Sequence, residues 1–145
     1  MGNSNESPLI FLVVDHHHDS RYLLVKCLLR KFTNAIVQEA QDGDAAIEMA
    51  RRGDIAAIVT HRTREYIGTE LVEKLRAANA QVPIVMVSGI ERSGPALAAG
   101  ADRFLLYDEW LRVGTVVKDL ISTPRLPNVV SLRIPLPKEQ KPEQN

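Results

Sequence analysis

The chain of 145 residues holds one cysteine, Cys27, so no disulfide can close within it, and a reducing compartment is the expected setting. It carries no surplus charge. Its 18 basic and 18 acidic residues cancel, which weighs against an electrostatic nucleic-acid binder and leaves room only for a local patch. It has no long hydrophobic run. Leu9–Val14 is among the longest, far short of the roughly 20 residues a membrane-spanning helix needs. The opening MGNSNESP lacks the apolar centre of a secretory leader. Its Met1-Gly2 start resembles an acylation signal, but Glu6 stands where that signal wants Ser or Thr. These absences set the expectation of a cytoplasmic protein with neither membrane nor nucleic acid as partner. There is no internal repeat, no glycine-rich phosphate loop and no nucleophile–base–orienter set, so an enzyme is not expected.

What is present is alternation between short apolar runs and longer segments of helical period. LIFLVV (Leu9–Val14) suits a central parallel strand buried on both faces. Asp19 to Phe32 places Leu23, Leu24, Cys27, Leu28 and Phe32 on one helical face, with Asp19 or Ser20 as the cap. Ala35–Val37 begins a second strand that ends at the Asp42-Gly43 turn, and Asp44–Arg52 reads as a helix stopped by Gly53. Ile55–Val59 is a third strand. Thr69 caps a helix to about Asn79, with Leu71, Val72 and Leu75 inward. Ile84–Val87 follows Pro83 as a fourth strand. Gly94-Pro95 opens a short helix that ends before Gly100, with proline at its first position. Arg103–Leu106 is a fifth strand, and Asp108 caps a last helix to about Ser122.

Parallel strands require crossovers, and these are nearly always right-handed. The expected architecture is a flavodoxin-like, doubly wound α/β fold, with a five-stranded parallel sheet in the order 2-1-3-4-5 and helices on both faces. Such a domain spans residues 9–122, preceded by a disordered segment, 1–8. The tail, 123–145, holds Pro124, Pro127, Pro135, Pro137 and Pro142, and its last residues read as disordered. Within it, Val130, Leu132 and Ile134 share parity, as on one face of a short strand over 129–134 able to pair with a sheet edge in cis or on a partner. The ligand crevice of this fold lies beyond the carboxyl ends of strands 1 and 3, which directs attention to the residues after Val14 and Val59.

The strand ending in Asp15, the Asp42-Gly43 turn, Gly68 eight residues after strand 3, the strand PIVMVSG and the phrase AAGADRFLL together resemble a response-regulator receiver domain over Leu9 to Ser122. The resemblance implies a part in two-component phosphorelay signalling. In a working receiver, an acidic pair after strand 1 and an aspartate ending strand 3 hold Mg²⁺, which neutralises charge on the transferring phosphoryl group. A hydroxyl after strand 4 and a lysine after strand 5 hold the phosphoryl oxygens. Carried onto this chain, the acidic pair is Asp15-His16, with one carboxylate replaced by imidazole. The phosphoacceptor position is Thr60, eight before Gly68. The hydroxyl is kept as Ser88. The lysine position is Tyr107, followed by Asp108 in place of the usual proline. The switch aromatic is Phe104, which has no hydroxyl and is placed by packing alone. Thr60 is a poor nucleophile without a base, and adjacent His61 is expected to point to the opposite face. The stretch from Ser88 to Gly100 is short for the family, so helix 4 is expected at a little over two turns.

The expectation is thus a degenerate pseudo-receiver that is not phosphorylatable and acts by protein–protein contact. Its partner is a histidine kinase, another regulator or a second copy of itself as a homodimer. Trp110 and Arg112 are contact candidates, Trp110 first as an anchor of helix 5. The loop His61, Arg62, Thr63, Arg64 reads as solvated. The alternative is a metal or small-ligand sensor using Asp15, His16 and His61, where imidazole would favour Zn²⁺ or Ni²⁺ and the lost carboxylates disfavour Mg²⁺. Asp15 needs no metal if a helix N-terminus faces it, and Ser88 has a purely local role if it bonds its own loop.

Overall fold

A computed structural model describes residues 7–123. The sheet order is β2-β1-β3-β4-β5, and every neighbouring pair is parallel. The strands are β1 (Ile10–Val14), β2 (Ile36–Ala40), β3 (Ala57–Thr60), β4 (Ile84–Ser88) and β5 (Arg103–Leu106). The helices are α1 (His18–Lys31), α2 (Gly43–Ala50), α3 (Gly68–Ala78), α4 (Ser93–Ala99) and α5 (Val113–Ser122), with a 3₁₀ segment, Tyr107–Arg112, before α5. This is the flavodoxin-like arrangement expected from the alternation of runs.

The continuous apolar runs of β1, β3 and β4 are explained by burial on both faces. Leu12, Val14, Ile58, Ile84 and Met86 pack towards α2, α3 and α4 with Leu71, Val72 and Leu75. Phe11, Val13, Val59, Val85 and Val87 pack towards α1 and α5 with Leu24, Leu28, Val113 and Val117. Each fully buried aliphatic side chain contributes about 1.5–3 kcal/mol. The period-2 alternation therefore decides, for every residue at a strand end, which layer its side chain enters.

The element ends differ from expectation for identifiable reasons. α1 is capped by His17, whose Nδ1 accepts from Ser20 N at 3.4 Å; Asp19 and Ser20 already lie inside the helix. Asp42 caps α2, accepting from Ala45 N at 2.7 Å, so the helix begins at Gly43, one residue ahead of the expected Asp44. α2 stops at Arg51, before Gly53. α3 begins one residue ahead of Thr69, with no side-chain cap. Pro95 sits third, not first, in α4, which has seven residues, just under two turns. Gly100 ends α4 at φ 119°, where a Cβ would meet the Arg76 side chain at 3.0 Å. Asp108 caps no helix, because the 3₁₀ segment intervenes before α5. The expected segment 1–8 lies mostly, and the expected strand 129–134 wholly, outside the described residues.

Candidate functional site

Strand register assembles the site. Val14 pairs with Thr60, so the next residues, Asp15 and His61, come side by side beyond the strand ends. His61 N donates to Val14 O at 2.8 Å, and Asp15 N donates to Ala40 O at 3.1 Å. Asp15 shares the parity of Phe11 and Val13, and His61 that of Val59, so both side chains enter the α1/α5 layer. Thr60 shares the parity of Ile58 and faces the other layer.

Asp15 is 0% exposed and is held from several sides. His61 Nδ1 lies 2.9 Å from its Oδ2, and Ser20 Oγ donates to the same oxygen in a short bond. His17 N donates to Oδ1 at 3.0 Å, and Arg62 Nε stands 3.8 Å from that oxygen. Arg21 Nη1 donates to the Asp15 carbonyl at 2.8 Å, while its Nε bonds Glu39 at 2.7 Å. Burial pushes the Asp15 carboxyl up, but the bonds from His61, Ser20 and the His17 amide outweigh it and hold the group below its ordinary value. Tyr107 lies flat on the His61 ring, with centroids 4.9 Å apart and planes 4° from parallel. Burial first, and then the Asp15 charge, raise the Tyr107 phenol.

The structure thus brings together Asp15, His61 and Tyr107, and adds Ser20, which the sequence suggested only as a cap. The spacing Asp15–Ser20 carries the signal: five residues reach from a strand end into the first turn of the next helix. His16 does not join them. Its N donates to Arg62 O at 2.9 Å, and its Nδ1 lies 3.4 Å from the same oxygen. Asp15, His16 and His61 therefore do not converge, and among the described residues no three His, Cys, Asp or Glu side chains could share a metal ion. A Mg²⁺ site does not fit either. The Asp15 oxygens are engaged, and neither His16 nor Thr60 supplies a carboxylate.

Thr60 Oγ1 is buried without a hydrogen-bond partner, as is Thr63 Oγ1. Ser88 Oγ accepts from Ile90 N at 3.2 Å, the local role that a loop serine fills. Phe104 is partly buried against the α2–α4 layer and Trp110 against the α1/α5 layer. Arg112 is exposed and pairs with Glu109 at 3.3 Å. The loop after β3 is only half solvated. Arg62 and Arg64 are exposed, but His61 and Thr63 are buried. None of the described helices is long and apolar enough to cross a membrane.

Comparisons with known proteins agree with this fold. Solved structures with the same fold include the signal receiver domain of the putative response regulator NarL from Mycobacterium tuberculosis. It is 23% identical, with 81% of this chain and 99% of that chain covered, at a TM-score of 0.71. A LuxR-family two-component response regulator from Aurantimonas sp. SI85-9A1 is 19% identical, with 86% and 94% covered, at 0.72. The receiver domain of the histidine kinase CKI1 from Arabidopsis thaliana, as its D1050A mutant, is 22% identical, with 79% and 91% covered, at 0.67. No curated protein matches the chain. The family model of the response regulator receiver domain matches residues 11–108, and the chain belongs to that family.

Proposed function

We propose that this receiver-type signalling module is a pseudo-receiver that takes no phosphoryl group and signals by constitutive protein–protein contact. The supporting observation is the state of Asp15. In this chain its carboxylate is engaged from within, by the His61 ring nitrogen and the Ser20 hydroxyl, rather than kept open to a cation. The residue at the acceptor position, Thr60, offers a hydroxyl directed into the opposite layer, away from the His61 ring. Phosphoryl transfer relies on positioned charge. With imidazole at His16 and a phenol at Tyr107, that charge is missing on both sides of Thr60. The partner is a histidine kinase, another regulator or a second copy.

Incubation with acetyl phosphate and Mg²⁺, read by intact mass, is expected to give no phospho-adduct. A stoichiometric adduct mapped to Thr60 or His61 would overturn the proposal. No geometric feature favours the metal-sensing alternative, since His16 is turned to the Arg62 carbonyl.

A further inference from the structure

β2 is one edge of the sheet, and its outer side is bare among the described residues. In a parallel pair, successive residues alternate between the two neighbours. Ile36 N donates to Leu9 O at 2.8 Å and Ala40 O accepts from Asp15 N at 3.1 Å, so Ile36, Gln38 and Ala40 bond inward. Val37 and Glu39 then direct their N–H and C=O groups outward, as a template for one more strand.

The helix above that edge is apolar on the corresponding side. Cys27 of α1 faces α5 and the 3₁₀ segment before it, its Sγ 3.2 Å from Leu111 O, and Arg21 faces β2, bonding Glu39 at 2.7 Å. Beyond Arg21, turning away from α5, come Val25, Leu29 and Tyr22. Val25 is only partly buried, Leu29 is 38% exposed and Tyr22 53%. This stripe overhangs the space where a strand beside β2 would lie.

Topology says which segment fits there. α5 lies in the same layer as α1. A helix in that layer carries the chain right-handedly from β1 to β2, so a right-handed crossover through α5 leads from β5 towards the β2 edge, not outward from β5. α5 ends at Ser122, at the amino-terminal end of the sheet, and residues 124–145 follow. Passing α1 takes about 20 Å, the width of two packed helices, which is within reach of roughly six extended residues. The stretch 128–134 is free of proline, between Pro127 and Pro135, so all of its N–H groups can enter a ladder.

We propose that residues 129–134 of the same molecule pair in parallel with the outer edge of β2, laying Val130, Leu132 and Ile134 over Tyr22, Val25 and Leu29. The tail then closes the exposed edge and makes a six-stranded sheet.

Amide hydrogen exchange by NMR on the full chain tests this. The Val37 and Glu39 amides are expected to be protected. In Ser131→Pro, which removes an N–H directed at β2, they should exchange at least about tenfold faster, while the inward amides of Ile36 and Gln38 stay unchanged. Leu132→Asp, which keeps the amide but not the apolar contact, should give an intermediate loss. Fast exchange of Val37 and Glu39 in the unaltered chain would overturn the proposal. So would protection indifferent to both variants. Protection that disappears on dilution, with a dimeric mass by light scattering, would assign the edge to the tail of a second copy and overturn the pairing in cis.

Discussion

Replacing His61 by Phe removes a hydrogen-bond partner of the Asp15 carboxylate while keeping a flat ring on Tyr107. Leaving a buried group short of a partner costs about 1–3 kcal/mol, and more for a charged one. Here the carboxylate keeps two strong donors, Ser20 Oγ and His17 N, and Arg62 stands 3.8 Å away. Those contacts reduce the expected cost to about 2–3 kcal/mol. Asp15→Asn removes the carboxylate charge but keeps a side-chain oxygen facing the His61 ring, at about 1–2 kcal/mol. In the double variant no buried carboxylate is left short of a partner, so its cost should fall short of the sum of the singles by about 1 kcal/mol or more. Urea unfolding followed by far-UV circular dichroism gives all four stabilities in one cycle. A His61→Phe loss below about 0.5 kcal/mol, or additivity within that margin, would refute the view that the Asp15–His61 contact holds the crevice together.

Other perturbations probe separate parts of the account. The Asp15 carboxyl is held below its ordinary value of 3.8 in the fold, so its contribution is fully present above that value and disappears as pH falls through the lower folded-state pKa. Acid titration of stability should therefore show a step below about pH 4 in the unaltered chain that is absent from Asp15→Asn. Gly114→Ala places a Cβ 2.9 Å from Lys31 Cβ and 3.1 Å from Cys27 O, forcing α1 and α5 apart at a cost of about 1–3 kcal/mol in chemical denaturation. Arg76 donates to the carbonyls of Gly100, Asn79 and Val82 and to the Asp102 carboxylate, so Arg76→Met should lower stability by about 2–3 kcal/mol.

The fold was legible because its strongest signal is physical and repeated. Five apolar runs buried on both faces, separated by segments of helical period, admit few parallel arrangements, and the strand order follows from right-handed crossovers. The element ends were less legible because local chemistry there serves tertiary needs. Ser20, a good cap by propensity, donates to Asp15 instead, and the cap passes to His17. Asp108, another good cap, is displaced by a 3₁₀ turn that presses Tyr107 onto His61 and Trp110 into the α1/α5 layer.

At the site, alternation along β3 correctly separated Thr60 from His61. The crevice rule had put Asp15 and His61 together as ligand candidates, but did not reveal that they bond each other, because that depends on the register Val14–Thr60 between strands distant in sequence. The three adjacent histidines suggested metal, yet consecutive residues at a helix start diverge. His16 turns to the Arg62 carbonyl, His17 caps α1 and His18 is exposed beside Asp19.

The central claim is that the crevice is closed to Mg²⁺ and phosphoryl chemistry by the Asp15–His61 pair. Beryllofluoride, a phosphoryl mimic, added with Mg²⁺ to isotopically labelled protein, tests it most directly by NMR. Unchanged amide resonances are expected for Asp15, Thr60, His61 and Ser88. Saturable shifts at these residues, carried into Phe104 on β5, would contradict it.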